Sequence, residues 1–226
     1  GNLAYDQVFG GWKAERGDAS LASHEDHILA NHHKLARQFV LLDNFYAIGE
    51  AGAEGLQWSV ASIASDFVAK LAPAARAGRV RGRDFGEGEP AAAPPAGYLW
   101  GSARLAGVAV KTYAQQVPDL EQAGALLRDL REMSGTGRMP RLVIVPLGGA
   151  QAGDNDRALG MIIEAVSRSP IWSKSVIFAA ESGAAPGGKD PISRRHAPAL
   201  VISPYARRGA IDSTFYNTAS LLRTIE

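Results

Sequence analysis

Residues 141–150 read RLVIVPLGGA, a short run of β-branched and aliphatic residues followed directly by a glycine turn. Such a run, bounded by Gly and Pro, predicts a strand buried on both faces of a sheet. A helix is predicted over 154–169, with Asp154 or Asn155 as its N-cap. Its apolar residues recur at helical spacing: Leu159, Ile162, Ile163 and Val166. Residues 175–180 (SVIFAA) form the next predicted strand, so this segment is one βαβ unit.

The same alternation of helices and strands continues on both sides of this unit. The other predicted elements are a helix over 31–40, a strand over 39–45, an amphipathic helix over 58–71, a helix over 98–106, a strand over 107–110, a strand over 199–203 and a capped helix over 213–226. This order predicts one domain over residues 1–226 with an α/β fold, in which helices sandwich a mostly parallel sheet.

Composition and charge exclude several classes of function. The 226 residues are 46% hydrophobic, which allows a sizeable core, and the formal net charge of +1 provides no global field for nucleic acid. The basic stretch 76–83 (RAGRVRGR) favours a solvated loop over a phosphate or lipid-headgroup contact. The absence of cysteine excludes disulfides, thiolate metal sites and a Cys nucleophile. No apolar run approaches the roughly 20 residues of a membrane span.

Several segments spread along the chain carry a resemblance to one family. They are 2–10 (NLAYDQVFG), 31–46 (NHHKLARQFVLLDNFY), 95–100 (PAGYLW), 154–172 (DNDRALGMIIEAVSRSPIW) and 197–226 (APALVISPYARRGAIDSTFYNTASLLRTIE). In this order they resemble the phosphoesterase family of the alkaline phosphatase superfamily, which groups phospholipase C-like and acid-phosphatase-like enzymes often fused to a secreted β-propeller. The resemblance implies an alkaline phosphatase-like fold and two divalent metals, which hold a phosphate and a Thr or Ser nucleophile.

The family's nucleophile motif resembles T-P-N-H-H and falls on residues 29–33 of this chain. Leu29 stands at the position of the hydroxyl nucleophile, and Asn31 is retained. A leucine side chain has no oxygen, so it can neither bind a metal nor attack phosphorus. The family's Glu-Asn ligand pair falls on Gly1 and Asn2, of which only Asn2 matches. The resemblance therefore predicts that the nucleophile and the first metal ligand are lost.

The remaining ligand motifs of the family are altered in the same way. By resemblance, Leu56 replaces a histidine, Gly149 and Ala150 replace an Asp and a His, and the Glu-Asp-Asp cluster reads Glu181, Ser182 and Gly183. In the last motif Asp190 is retained and Arg195 replaces a histidine, while a shifted alignment to His196 restores a single ligand. Six losses beside intact scaffold segments predict a pocket that binds no metal.

We therefore expect a catalytically inactive domain without cofactor that acts as a structural or accessory part of a larger assembly. The chain starts at the point where the family's first strand ends. We therefore expect another protein chain, or an upstream piece, to complete the sheet near Gly1. The resemblance implies a periplasmic or extracellular location, and we expect no nucleic-acid partner.

Two other functions remain open from the sequence. The first is an active metal-dependent phosphoesterase with unrecognised ligands, for which the candidates are Asp43, Glu50, Glu54, Asp190 and His196. The second is a module that binds a small anion or a lipid headgroup in the vacated pocket, near Gly148 or Arg195. Among the other polar residues, we expect His32 and His33 to have a structural role, because neighbouring helical residues point about 100° apart. His24 and His27 favour a solvated segment over an adventitious metal site.

Overall fold

Helices and strands alternate along the chain in the computed structural model, which describes residues 3–12, 16–22, 27–50, 52–79, 89–114, 117–149, 151–183 and 192–226. The helices are α1 (Tyr5–Phe9), α2 (Ala30–Gln38), α3 (Ala53–Ala61), α4 (Asp66–Arg76), α5 (Leu99–Leu105), α6 (Asp119–Thr136), α7 (Ala152–Ser167) and α8 (Thr218–Ile225). The strands are β1 (Val40–Leu42), β2 (Phe45–Tyr46), β3 (Val110–Thr112), β4 (Leu142–Ile144), β5 (Ile177–Ala180), β6 (Ala199–Ile202), β7 (Ile211–Asp212) and β8 (Tyr216–Asn217). No described helix is long and apolar enough to cross a membrane.

The largest sheet has four strands in the order β5-β6-β1-β7. The strands β3 and β4 form a separate parallel pair, and so do β2 and β8. The α/β fold is therefore as predicted, but β6 runs antiparallel to both of its neighbours. The described residues between β5 and β6 contain no helix, and antiparallel neighbours need no helical crossover, which explains this direction.

Helices cover both faces of this sheet. On one face Leu41 of β1 and Ile202 of β6 belong to the main hydrophobic core, together with residues of α2, α6 and α7. On the other face the alternate residues Leu42 and Ala199 pack in a second cluster with Leu221 of α8. The period of two along each strand thus separates the two cores, as expected for a sheet sandwiched by helices.

The strand, helix and strand predicted from residues 141–180 are present as β4, α7 and β5, but they do not form one βαβ unit, because β4 pairs with β3 and β5 pairs with β6 in a different sheet. The N-cap was predicted wrongly, because α7 begins at Ala152 with Gln151 as N-cap and no side-chain capping bond. Asp154 and Asn155 instead lie in the first turn. The buried amide of Asn155 donates to a carboxylate of another helix, which is a contact that no local capping rule predicts.

The predicted helix over 58–71 is in fact two helices, α3 and α4. Ser62 adopts a left-handed φ of 54° at the end of α3, and the Ser65 hydroxyl accepts a hydrogen bond from the Val68 amide to cap α4. At the chain's end the helix starts at Thr218 and is capped by Asn217, and the residues before it form β8. The predicted strand over 39–45 is likewise split into β1 and β2.

The sequence interpretation missed α6, an 18-residue helix. Its buried side chains follow helical spacing, from Gln122 and Ala123 to Leu126 and Leu130, and Pro118 precedes it. A helical-period count over residues 111–140 identifies this segment.

We expect Gly55→Ala to lower the free energy of unfolding by about 1–3 kcal/mol, because a methyl group would overpack a backbone contact. A Cβ at this position in α3 would lie 2.5 Å from the Glu50 carbonyl oxygen and 2.7 Å from the Gly183 Cα. Gly101→Ala in α5 is the control: a Cβ there meets nothing within 4 Å, so we expect a gain of about 0.5–1 kcal/mol. Urea unfolding followed by circular dichroism measures both, and equal effects would contradict the packing argument.

Candidate functional site

The position that the family resemblance assigns to the nucleophile lies at the N-terminus of α2. Leu29 is the N-cap residue of α2, and its side chain is 1% exposed within the main core. The carboxylate of Asp156, from α7, accepts hydrogen bonds from the backbone amides of Asn31 (3.0 Å) and His32 (2.8 Å). It also accepts one from the Asn31 side chain at 2.9 Å. A carboxylate of the same chain therefore occupies the amides that a helix N-terminus would offer to an anion.

Asp156 is also paired with an imidazole, since His32 Nδ1 lies 2.6 Å from Asp156 Oδ1. Burial alone would raise the pKa of the Asp156 carboxyl, but the hydrogen bonds from His32 and Asn31 outweigh it and hold this pKa below its usual range. The carboxylate is therefore ionised at neutral pH. The next imidazole, His33, contacts the Val8 carbonyl oxygen through Nε2 at 2.7 Å. The two adjacent histidines have different partners, as a structural role requires.

A second carboxylate, that of Asp119, accepts a hydrogen bond from the glycine turn after β4. The Gly149 amide donates to Asp119 Oδ1 at 2.9 Å, and the Asn155 side chain donates to Asp119 Oδ2 at 3.1 Å. A Cβ at position 149 would lie 2.9 Å from Asp119 Oδ2, so the close approach of this turn to α6 requires glycine. Gly148 is exposed, and Ala150 lies outside the described residues.

Sequence reasoning missed three functional contacts of this region, those of Asp119, Asn155 and Asp156. Asn155 and Asp156 are neighbours in the first half of α7, and their partners lie in α6 and α2. Together these residues link α2, α6, α7 and the turn after β4. Only two local features of the sequence could have indicated these contacts: the position of Asp119 directly after Pro118, and the polar stretch DND at 154–156.

The segment after β5 packs against α3. Glu181 is buried, and its amide donates to the Pro198 carbonyl oxygen at 3.2 Å. The Ser182 carbonyl oxygen accepts from the Ser59 hydroxyl at 3.4 Å, and Gly183 forms a parallel bridge with Gly49. Ser182 therefore contacts α3 through its backbone.

A wide cavity separates β4 from β5, and we call it the central groove. It has a volume of about 1370 Å³, and its two long walls are residues 139–148 and 174–182. Helices α3, α6, α7 and α8 supply most of the remaining lining, and His32 of α2, Leu99 of α5 and Leu200 of β6 also contribute. Several predicted site residues line it: Leu56, Gly148, Glu181 and Ser182. Part of the predicted site therefore lies in the lining of the groove. Leu56 contributes an aliphatic side chain at the position where the resemblance implies a histidine.

Arg195 is not part of this groove lining. Its guanidinium forms an ion pair with Glu50 at 3.0 Å, and Arg194 pairs with the same carboxylate at 3.0 Å. Two candidate residues from the sequence, Glu50 and Arg195, thus neutralise each other. Asn2 and Asp190 lie outside the described residues, so the structure does not place these two candidates.

Asp43 and His196 form a separate buried cluster with Tyr5. His196 Nε2 lies 2.8 Å from the carbonyl oxygen of Asp43, and the Tyr5 ring stacks on the imidazole with centroids 4.2 Å apart. Both carboxylate oxygens of Asp43 are buried without a hydrogen-bond partner. Burial lowers the pKa of His196, against the opposing effects of Asp6 and Asp43, and burial together with the Asp43 charge raises the pKa of Tyr5. His196 therefore contacts a carbonyl as a neutral ring at pH 7.

The donor set of the described residues does not fit the two divalent metals that the resemblance implies. Within that part of the chain, no group of three or more His, Asp and Glu side chains is arranged to hold a metal ion. Asp119 and Asp156 accept hydrogen bonds from backbone amides, and Glu50 is paired with two guanidinium groups. Glu54 lies in the first turn of α3. We therefore derive no chemical step through bound metals.

We expect Asp156→Ala to lower the free energy of unfolding by about 3 kcal/mol, because it leaves the amides of Asn31 and His32 without an acceptor in a buried site. Asp154→Ala is the matched control, since Asp154 is exposed in the same helix, and we expect a change within about 0.5 kcal/mol. Urea unfolding at pH 7 gives both values. Equal destabilisation by the two variants would contradict the capping role of Asp156.

The pH dependence of stability should depend on His196. Because burial depresses its pKa in the folded state, the unfolded chain binds the proton first as the pH falls. The stabilisation is complete above the ordinary histidine pKa of about 6.5 and is lost as the pH falls through the lower folded value. We expect the His196→Gln variant to lose less free energy of unfolding than the unaltered chain when the pH of the urea unfolding experiment is lowered from 7.5 to 5. If the variant shows the same dependence of unfolding free energy on pH, other ionisable groups cause the loss of stability.

Comparisons with known proteins give one family and one fold. The family model described as "Phosphoesterase family" matches residues 109–226, which is more than half of the chain and runs from the start of β3 through α8. No curated protein matches the chain.

Among solved structures, the chain is similar to a protein in the alkaline phosphatase superfamily from Vibrio parahaemolyticus, with a TM-score of 0.60 and 12% sequence identity. The match covers 88% of this chain and 59% of that one, so the chain spans less than two thirds of the length of this relative. At 12% identity this similarity is evidence for a shared fold and for nothing more specific.

Proposed function

The chain belongs to the phosphoesterase family, and on that premise we propose that it is a catalytically inactive member. We further propose that it acts as a structural or accessory part of a larger assembly with other protein chains, in the periplasm or outside the cell. The observation that carries the proposal is Leu29, a buried aliphatic side chain at the start of α2, where the family resemblance expects a hydroxyl nucleophile.

The contacts of two buried carboxylates, Asp156 and Asp119, support this proposal. In a two-metal phosphoesterase, carboxylates and imidazoles converge on cations that clamp the attacking and leaving oxygens. Here Asp156 holds the amides at the start of α2, and Asp119 holds the turn after β4. Each carboxylate is used to stabilise the fold. Replacing clustered carboxylates by Gly, Ala, Leu and Ser also removes their mutual repulsion once no metal is bound.

The contacts that several candidate residues already make weigh against both alternative functions. For an anion-binding module, the two sets of amides suited to an anion already bind Asp119 and Asp156, and Arg195 is paired with Glu50. For an active phosphoesterase with other ligands, His196 contacts a carbonyl oxygen rather than a carboxylate. Both alternatives are outcomes of the test below.

The test is elemental analysis of the purified 226-residue chain, run beside assays with a phosphate monoester and a phosphate diester. We expect no stoichiometric divalent metal and no turnover, including after incubation with Zn²⁺, Mg²⁺ or Mn²⁺. Two equivalents of metal with a chelator-sensitive rate would overturn the proposal. Tight binding of inorganic phosphate without turnover would instead support the anion-binding module.

A Leu29→Thr variant separates the loss of the nucleophile from the loss of the metals. We expect it to remain inactive with added metal and to lose about 1–3 kcal/mol of stability, because it places a hydroxyl in the apolar core. Metal-dependent turnover in this variant would show that the metal ligands are retained and that Leu29 alone silences the site.

A further inference from the structure

Basic residues are concentrated where the end of α2, the loop after β6 and the segment after α7 meet. Residues 34–39 (KLARQF), 168–176 (RSPIWSKSV) and 203–211 (SPYARRGAI) contain six Lys and Arg residues and no Asp or Glu. The whole chain, by contrast, has 24 basic and 23 acidic residues. The charge of these three segments therefore differs from that of the rest of the chain.

Two contacts of the loop after β6 bring the three segments together. A Cβ at Gly209 would lie 3.0 Å from the Arg37 carbonyl oxygen, so the loop lies directly against the end of α2. The Tyr205 hydroxyl donates to the Ser173 carbonyl oxygen at 2.9 Å, which joins the loop to the segment after α7. The basic residues of the three segments therefore belong to one region of the surface.

Four positive charges of this region have no partner of opposite sign. Lys34, Arg37, Arg207 and Arg208 are all exposed, and together with Tyr205 they form the surface that we call the basic face. Lys34 and Arg37 are three positions apart in α2, so they lie on the same side of the helix. Among the described residues, no carboxylate forms an ion pair with any of the four. Their charge is therefore available to an anionic partner.

The two other basic residues of the region are placed differently. Arg168 is paired with Glu164 of α7 at 2.7 Å, and Lys174 lines one end of the central groove. Neither belongs to the basic face. Both nevertheless lie beside it, so no negative charge of these segments weakens its attraction for an anion.

Apolar side chains stand among the charges of the basic face. Tyr205 is 79% exposed, and Ile211 at the start of β7 is 43% exposed. The Arg37 guanidinium lies over the Trp12 ring, 4.9 Å from its centroid. A surface that mixes Arg and Lys with Tyr and Trp is typical of contact with the headgroup region of a bilayer. Aromatic rings with a polar edge accumulate there, and long basic side chains carry their charge to the phosphates.

This combination of charge and apolar surface favours one class of partner. An acidic peptide matches the charges but offers little apolar surface to Tyr205 and Ile211, whereas the headgroup region of a bilayer accepts both kinds of side chain. A layer of anionic lipids also needs no shape that matches the helix and the loop. Each basic residue near such a layer strengthens binding about fivefold.

We propose that the basic face binds the surface of a bilayer that contains anionic phospholipids. Lys34, Arg37, Arg207 and Arg208 contact lipid phosphates, and the Tyr205 ring lies among the headgroups. The contact is peripheral and reversible. Its ionic part acts over the Debye length, about 8 Å at physiological salt, and is screened when the salt concentration rises.

The basic face is separate from the candidate functional site. Leu29 is the N-cap residue of α2, whereas Arg37 lies in the last turn of this helix, about 12 Å further along its axis. The inference therefore holds whether or not the domain hydrolyses phosphate esters. Loss of vesicle binding and gain of turnover are separate results, so the failure of one proposal leaves the other intact.

The first test is co-sedimentation of the 226-residue chain with two kinds of vesicle, one of phosphatidylcholine alone and one with about 30% phosphatidylglycerol. We expect binding to the anionic vesicles only, and we expect it to weaken about tenfold when NaCl is raised from about 0.1 to about 0.5 M. Absence of binding to the anionic vesicles, or equal binding to both kinds, would overturn the proposal.

The double variant Arg207→Glu/Arg208→Glu tests the face itself. Both side chains are exposed, so we expect an unchanged fold by circular dichroism and binding about 25-fold weaker or worse. Arg157→Glu/Arg223→Glu is the matched control, since it changes the net charge equally at exposed positions of α7 and α8. We expect it to weaken binding less than about threefold. Equal weakening by the two variants would show a general effect of net charge and would contradict the proposal.

A fluorescent label tests whether Tyr205 reaches the lipid. The chain has no cysteine, so Tyr205→Cys allows a nitrobenzoxadiazole dye to be attached at this position alone. We expect brighter, blue-shifted emission with anionic vesicles, because the dye leaves water. Leu105→Cys in α5 is the control, since Leu105 is 93% exposed and lies outside the basic face, and we expect no change there. The same response at both positions would contradict binding through this face.

Two other anionic partners are distinguished by the same variants. The probes are a peptide of about twelve Glu residues and a single-stranded oligonucleotide of about twelve nucleotides. We expect the basic face to prefer the anionic vesicles to both. If either probe binds through Arg207 and Arg208 while the anionic vesicles do not bind, the face serves an acidic polypeptide or a nucleic acid, and the choice of a bilayer is wrong.

Discussion

The carboxylate of Asp156 joins two helices whose contacting residues are 125 positions apart in the chain. Its oxygens accept hydrogen bonds from the backbone amides at the start of α2. This helix leads directly into β1, which lies between β6 and β7 in the sheet. The approach of the two helices is close, since a Cβ at Gly160 of α7 would lie 2.5 Å from the Asn31 side chain. The buried, ionised carboxylate of Asp156 therefore fixes the helix that precedes β1, while the pairing of β1 with β6 and β7 fixes the strand itself.

The same groups keep the fold intact around the site that we propose to be inactive. A carboxylate at a helix N-terminus is stable when it accepts amide hydrogen bonds, as Asp156 does. Asp119 does the same for the turn at Gly149, where only glycine leaves room for it. The charge of Asp156 is offset by two backbone amides and the imidazole of His32, and that of Asp119 by the Gly149 amide and the Asn155 side chain.

Local patterns predicted the parts of the fold that are determined locally. The apolar run of β4 and the helical spacing of α7 are strong signals over short windows, so these elements could be predicted, whereas the separation of β4 and β5 into different sheets could not. The break between α3 and α4 could not, because it depends on Ser62 in a left-handed conformation without Gly or Pro. The pairs Asp156–His32 and Glu50–Arg195 lie more than 120 residues apart in sequence, so no periodicity identifies them.

The short apolar strands β4 and β5 have a consequence for the handling of the 226-residue chain. Residues 142–145 and 177–180 carry no charged side chain that would discourage pairing with a stray strand. Where such an edge is exposed, pairing between copies competes with folding, so we expect aggregation of the purified 226-residue chain to rise with its concentration.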